Sequence, residues 1–146
     1  MNISIDSGIF SFPIRVYYED TDAGGVVYHA NYLNFFERAR TEWLRHLGYE
    51  QDALRLEENI IFAVRKVKID YLKPAFFNDQ LITTTKLISI KRSCIEIEQQ
   101  IIRHQDNKIM EVLSVGKILV VCVDAKRFKL KKIPNHIQFA ITATQA

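Results

Sequence analysis

From Tyr32 onward the apolar residues of this chain fall into a helical period. Tyr32, Phe35, Phe36, Ala39, Trp43 and Leu47 lie at i, i+3, i+4, i+7, i+11 and i+15, which is one face of an α-helix. Leu33 and Leu44 widen that face, so the helix is expected to be enclosed on more than one side. Asn31 stands where an N-cap belongs and Gly48 where a helix ends in the left-handed region. Arg38 and Glu42 sit four apart on the polar side, the spacing of a supporting ion pair. A short second helix is expected over 50–57.

Elsewhere the period is two. A first strand is predicted over 12–18. Val67, Ile69 and Tyr71 alternate with Lys66, Lys68 and Asp70, a half-buried strand that Pro74 and Asn78-Asp79 interrupt. Phe62 and Val64 alternate out of phase with that set. A strand over 81–90 is rich in Thr and Ile and ends in a turn at Lys91-Arg92. Ile95, Ile97 and Ile101 then alternate with Glu96, Glu98 and Gln100, and Gln105-Asp106-Asn107 reads as a hairpin turn. Residues 109–123 are apolar on both faces, so that strand needs cover from the helix and from another layer or subunit. Residues 133–143 fit a strand end or a short helix. Strand, long helix, then about four consecutive strands is the order of one antiparallel sheet wrapped around one long helix.

Composition narrows the class. The 146 residues are 48% hydrophobic and 25% charged, as expected of one globular domain spanning 1–146. No apolar run is long enough to cross a membrane, and residues 1–11 lack the charge and apolar pattern of a signal peptide. A net charge of +3 is too mild to imply nucleic acid, and the cations lack the interleaved exposed aromatics of a single-strand platform. Cys94 and Cys122 read as two small buried thiols, or as a disulfide if their strands are neighbours, which nothing requires; neither has zinc-ligand spacing. His46, His104 and His136 show none either, so no metal is expected. A reducing, cytoplasmic setting fits.

The chemistry concentrates in one loop. Glu19, Asp20 and Asp22 are followed by Gly24-Gly25, then Val26, Val27, Tyr28 and His29, just before the long helix. Three acids in a loop are more often a solvated turn. Here glycines that let a ligand approach backbone, and free N–H groups at a helix start, favour a site for an oxyanion. No Lys-Ser or Lys-Thr follows the glycines, against a phosphate loop, and no Gly-x-Ser-x-Gly elbow exists. A carboxylate is therefore the best candidate base or nucleophile. His29 alone is more often a structural hydrogen-bonder. Basic residues at Arg65, Lys66 and Lys68, at Lys91-Arg92 and over 126–132 are solvated faces, or anchors for a phosphorylated carrier.

Tyr18-x-Asp20-Thr21-Asp22-Ala23-x-Gly25-Val26-Val27-Tyr28-His29-x-x-Tyr32, then Glu37-x-Ala39-Arg40 and Trp43-Leu44, resembles the signature of hotdog-fold acyl-CoA thioesterases. The branch is the 4-hydroxybenzoyl-CoA thioesterase family, and within it the small thioesterases associated with the Tol-Pal cell-envelope system of Gram-negative bacteria. The likeness is densest over 15–48 and looser over 64–75, where Arg65-x-x-x-Ile69-x-Tyr71-x-x-Pro74-Ala75 resembles a strand of these proteins. It implies an α+β hotdog fold, an antiparallel sheet wrapped around one long central helix. It also implies a homodimer with active sites at the subunit interface, often paired into homotetramers. Gly24 is a departure, since many relatives carry another small or polar residue there.

The same resemblance implies that Asp22 is the catalytic carboxylate, attacking the thioester carbonyl or activating water. His29 would position water or substrate. Gly25, Val26, Val27 and Tyr28 would line the substrate, and Lys91 and Arg92 would reach the phosphates of the nucleotide. The expected partners are acyl-CoA and, as a second carrier, acyl carrier protein; no cofactor is called for. Two other readings compete. A hydratase or dehydratase of the same fold would use a His with a helix carboxylate such as Glu37, which the Asp22 motif argues against. A non-catalytic acyl-CoA or acyl-carrier binding module would release no thiol.

Overall fold

One sixteen-residue helix, α1 (Asn31–His46), lies across an antiparallel sheet of six strands. The computed structural model describes residues 4–6, 8–104 and 111–145. The strands are β1 (Ser4–Asp6), β2 (Ile9–Arg15), β3 (Ile60–Tyr71), β4 (Gln80–Ile90), β5 (Cys94–Arg103) and β6 (Glu111–Asp124), and two shorter helices are α2 (Gln51–Glu57) and α3 (Asn135–Thr142). The sheet order is β1-β2-β4-β5-β6-β3, with each neighbouring pair antiparallel. Among the described residues β3 therefore forms one edge, with β6 its one neighbour.

The periodic face of α1 is the buried one: Tyr32, Phe35, Phe36, Ala39, Trp43 and Leu44 all turn inward, toward β2, β4 and β5. Leu33 does not join them and is exposed. Gly116 on β6 allows the close approach of helix to sheet, because a Cβ there would stand 2.7 Å from the Phe36 ring. A polar rivet crosses the same interface. The fully buried Gln99 amide donates to Phe36 O at 3.0 Å and to Thr85 Oγ1 at 2.9 Å, and its oxygen accepts from Arg40 Nη1 at 3.0 Å. Gln99 is buried with both ends of its amide satisfied, the condition under which a polar group is tolerated in a core.

The helix ends divide. At the C-terminus Gly48 has φ +101; its N–H donates to Arg45 O at 3.0 Å, and Tyr49 N–H donates to Leu44 O at 2.9 Å. This is the two-bond cap that a left-handed glycine makes possible. At the N-terminus the cap position is Ala30, which gives no side-chain bond. Asn31 is already helical, and its Nδ2 donates to Asp20 Oδ1 at 2.6 Å. The expected Arg38–Glu42 pair is not formed: Glu42 pairs with Arg45, and Arg38 lies over the Phe35 ring.

Three strand expectations are corrected. The first strand ends at Arg15, and Tyr18–Asp20 turns as a short 3-10 helix; Asp20 Oδ2 accepts the Tyr17 N–H at 2.8 Å and holds the chain in that turn. The phase change in β3 is a β-bulge. Val64 pairs with Val120 and Lys66 with Leu119, leaving Arg65 unpaired. One extra residue returns Phe62, Val64, Val67, Ile69 and Tyr71 to a single face, on which Val64, Val67 and Tyr71 stay exposed. The two-sided apolar character of β6 is met within the chain only at its C-terminal end, Val115 and Leu119 on the face away from α1 being half-buried. Val121 and Val123, on the face away from α1, are buried; the returning segment pairs Leu130 with Val123, and Lys131 N–H donates to Cys122 O.

The expected second helix forms over Gln51–Glu57, with Glu50 extended before it, and 133–143 resolves into α3, with Ile137 and Ile141 fully buried. The expected turn at Gln105-Asp106-Asn107 lies outside the described residues. Cys94 is half-buried and Cys122 buried, both as free thiols. Burial pushes the Cys122 thiol up to about 11, so it is a packing residue rather than a nucleophile.

Candidate active site

The acidic loop is a tight hairpin at the mouth of α1. Asp22 N–H donates to Val26 O at 2.9 Å, Gly25 N–H donates to Asp22 O at 3.1 Å, and Thr21 bridges Val27. Gly25 turns the chain at φ +83, a conformation that favours glycine. Gly24 serves the carboxylate directly. Its N–H donates to Asp22 Oδ1 at 2.8 Å, and a Cβ at that position would press on the same oxygen at 3.2 Å.

The two aspartates differ in kind. Asp20 is only 3% exposed, and each of its oxygens takes a hydrogen bond, from Tyr17 N–H and from Asn31 Nδ2. Its own carbonyl accepts Tyr28 N–H at 2.8 Å. Asp20 thus staples the loop to the start of α1. Asp22 is exposed, and among the described residues only Gly24 N–H engages its side chain, which leaves Oδ2 open. Glu19 is exposed as well.

Just beyond the hairpin, the backbone N–H groups of His29 and Ala30 have no acceptor among the described residues. They stand at the positive end of α1. The Tyr71 hydroxyl donates to His29 O at 2.7 Å and fixes this turn. The exposed His29 ring meets Tyr71 edge-on at 6.5 Å and lies 4.5 Å from the Tyr28 ring. Burial pushes the Tyr32 and Tyr71 phenols up, so both stay protonated at neutral pH. A cleft of about 270 Å³ opens here, lined by Val27, His29, Tyr32, Tyr71, Leu72 and Pro74 among others. A second cavity of about 180 Å³ lies further along α1, between Glu37, Arg40, Trp43, Phe62 and Val64.

The hairpin rests on the segment after β3, where Pro74 breaks the strand and the Tyr71-x-x-Pro74-Ala75 pattern lies. Val27 N–H donates to Ala75 O at 2.9 Å, Val26 bridges Phe76, and Ala75 N–H donates to Tyr32 Oη at 3.0 Å. The structure therefore brings Asp22, Gly25, Val26, Val27, Tyr28 and His29 into one place and adds Tyr32, Tyr71 and Ala75. The Tyr71-x-x-Pro74-Ala75 pattern was the available signal for these.

Lys91 and Arg92 are placed elsewhere. β4 leaves the loop region at Gln80, paired with Arg15, and reaches their turn after Ile90, roughly 33 Å away at the rise of an extended strand. There Arg92 O accepts the Ile133 N–H at 2.9 Å, so the pair sits beside the basic segment 126–132. Within one chain they do not join the Asp22 loop. Among the described residues no group of three or more His, Cys, Asp or Glu is arranged to hold a metal, and no helix is long and apolar enough to cross a membrane.

An antiparallel sheet carrying a long helix, with an acidic glycine hairpin at the helix start, defines the hotdog thioesterase class. The Thioesterase-like superfamily matches residues 16–141, and the chain belongs to it. It is 46% identical over 136 residues to the acyl-CoA thioesterase YbgC of Haemophilus influenzae, covering 93% of this chain and 96% of that protein. A probable thioesterase from Bartonella henselae superposes with a TM-score of 0.79 at 32% identity, covering 86% of this chain and 99% of that one. A mutant 4-hydroxybenzoyl CoA thioesterase complexed with 4-hydroxybenzoyl CoA shares the fold, at a TM-score of 0.85 and 14% identity over 91% of this chain and 98% of that one.

Proposed function

We propose that this chain hydrolyses acyl-CoA thioesters to free acid and CoA, with Asp22 as the reacting carboxylate. The observation that carries the reading is the juxtaposition at the hairpin. Among the described residues, one oxygen of Asp22 is held by Gly24 N–H while the other is open, and the N–H groups of His29 and Ala30, a few residues on, have no acceptor. The relatedness to a protein named acyl-CoA thioesterase supports the same chemistry.

The thioester carbonyl would point its oxygen at the His29 and Ala30 N–H groups, where donors fixed in place stabilise the developing negative charge. In one route Asp22 Oδ2 attacks the carbonyl carbon, the C–S bond breaks and CoA leaves as thiolate; water then cleaves the mixed anhydride and restores the carboxylate. In the other, Asp22 takes a proton from water as that water attacks. Both consume one water and yield acid and thiol. Thiolate is a good leaving group, so no strong general acid is needed. His29 positions water or substrate, and the groove along α1 receives the acyl group.

The functional unit is a homo-oligomer, a dimer or a pair of dimers. β3 presents an unpaired edge twelve residues long with Val64, Val67 and Tyr71 exposed along it, and an open edge of that length is a template for pairing with another chain. Lys91 and Arg92, remote from the hairpin in their own chain, would meet the nucleotide end of a substrate bound at a partner's hairpin. The family resemblance supports a cytoplasmic role in lipid metabolism beside the Tol-Pal system, with acyl carrier protein as an alternative thioester donor. Release of free thiol from a panel of aliphatic and aromatic acyl-CoAs tests the activity. Binding without thiol release across the panel would make the protein a binding module instead. Light scattering at low micromolar concentration should give at least two chains; a stable, active monomer would overturn the shared-site reading.

A further inference from the structure

Arg103, at the end of β5, turns two of its three guanidinium nitrogens to the far side of the loop that supports the hairpin and the third to Glu111. Nε donates to Asp79 Oδ2 at 3.1 Å, Nη2 donates to Pro74 O, and Nη1 donates to Glu111 Oε2 at 2.8 Å. The guanidinium carbon stands 5.4 Å from the centre of the Phe76 ring, within cation–π reach. Asp79 Oδ2 also accepts the Phe76 N–H at 2.8 Å. One side chain thus fastens Pro74, Phe76 and Asp79 together.

We propose that Arg103 is a positioning residue that sets the height of the Asp22 carboxylate through the 74–79 loop. The path is continuous: Arg103 holds Pro74 and Phe76, the intervening Ala75 holds Val27 and Tyr32, Phe76 bridges Val26, and Val26 O accepts the Asp22 N–H. Arginine suits this task and lysine does not. The site needs three donors fanned in one plane, and an ammonium offers a single compact point of charge. The side chain of Arg103 is 12% exposed, so water is a poor substitute for the lost bonds. The inference rests on the reading of Asp22 as the reacting group, because a shift of about 1 Å in a reacting group costs turnover rather than binding.

The test compares Arg103→Lys with Glu111→Gln, which weakens to a neutral acceptor the one Arg103 side-chain partner, among the described residues, that lies outside the 74–79 loop. Arg103→Lys is expected to lower kcat about tenfold or more per folded molecule with KM for acyl-CoA within about twofold, and Glu111→Gln to leave both near the wild type. Hydrogen exchange supplies an arm independent of turnover. In Arg103→Lys the Val27, Asp22 and Tyr28 amides should lose protection at least tenfold while β5 and β6 amides away from residue 103 keep theirs. Unchanged hairpin protection with unchanged kcat would overturn the proposal, as would loss of protection spread evenly over the sheet. Lost hairpin protection in a protein whose wild type releases no thiol would uphold the positioning of Asp22 and refute the thioesterase reading alone.

Discussion

Asp20 and Asp22 are two residues apart, and exchanging each for Asn should separate folding from chemistry. Asp20 is buried and accepts from two donors, one on each oxygen. An amide can accept only one of them; its NH2 must then face the other donor. The loss is one charge-assisted hydrogen bond, with a part-buried donor left unpaired, or about 1.5–3 kcal/mol. For a chain of this size that lowers the melting midpoint by roughly 5–10 °C. Asp22 is exposed, and its bond from Gly24 survives as a bond to the amide oxygen, so Asp22→Asn should move stability by only about 0.5 kcal/mol. Its turnover should nevertheless fall on the order of 10²-fold or more, because basicity and nucleophilicity are gone. Thermal melts at one fixed protein concentration, with thiol release from acyl-CoA normalised to folded protein, measure both effects. Wild-type turnover in Asp22→Asn would refute the reasoning. A wild-type melt in Asp20→Asn together with lost turnover would show that the other acid does the chemistry.

Gly116→Ala should cost about 1–3 kcal/mol, since its Cβ would sit 2.7 Å from a fully buried phenyl ring; urea melts check this, and Phe36→Leu in the same protein should recover part of the loss. The paired change Lys91→Ala with Arg92→Ala should raise KM for acyl-CoA more than it lowers kcat, because a contact to remote phosphates acts on binding. Equal wild-type KM values for acyl-CoA and a truncated acyl-pantetheine would remove that phosphate contact.

What the sequence disclosed was periodic or local. The α1 face was visible because six apolar residues keep helical time, and its end because only a glycine sits easily at φ +101. The bulge at Arg65 was visible too, as broken alternation, but a phase break has two explanations, an extra residue or a second partner, and only the strand register distinguishes them. Asp20 and Asp22 look alike in the chain; burial divides them, and burial is set by Asn31 and Tyr17 closing on one acid. Lys91-Arg92 read correctly as a turn, but not as a turn at the far end of β4, since the distance depends on which strand pairs with β2. Arg103 gave no sign at all. A single cation at a strand end resembles any surface charge until the 74–79 loop is folded over it.

The Ala75–Val27 pairing has a consequence in time. The hairpin is anchored to residues about fifty positions away, and these in turn to Arg103 nearly thirty further on. Contacts of such sequence separation close late, after the entropy of the intervening loops has been overcome. A refolding chain can therefore lay down α1 and the β4-β5-β6 meander from local pairings while Asp22 still swings on an unfastened turn. During that interval the protein would show its helix and sheet spectroscopically and perform no hydrolysis. Recovery of turnover would then clock the docking of one short loop rather than the formation of the sheet.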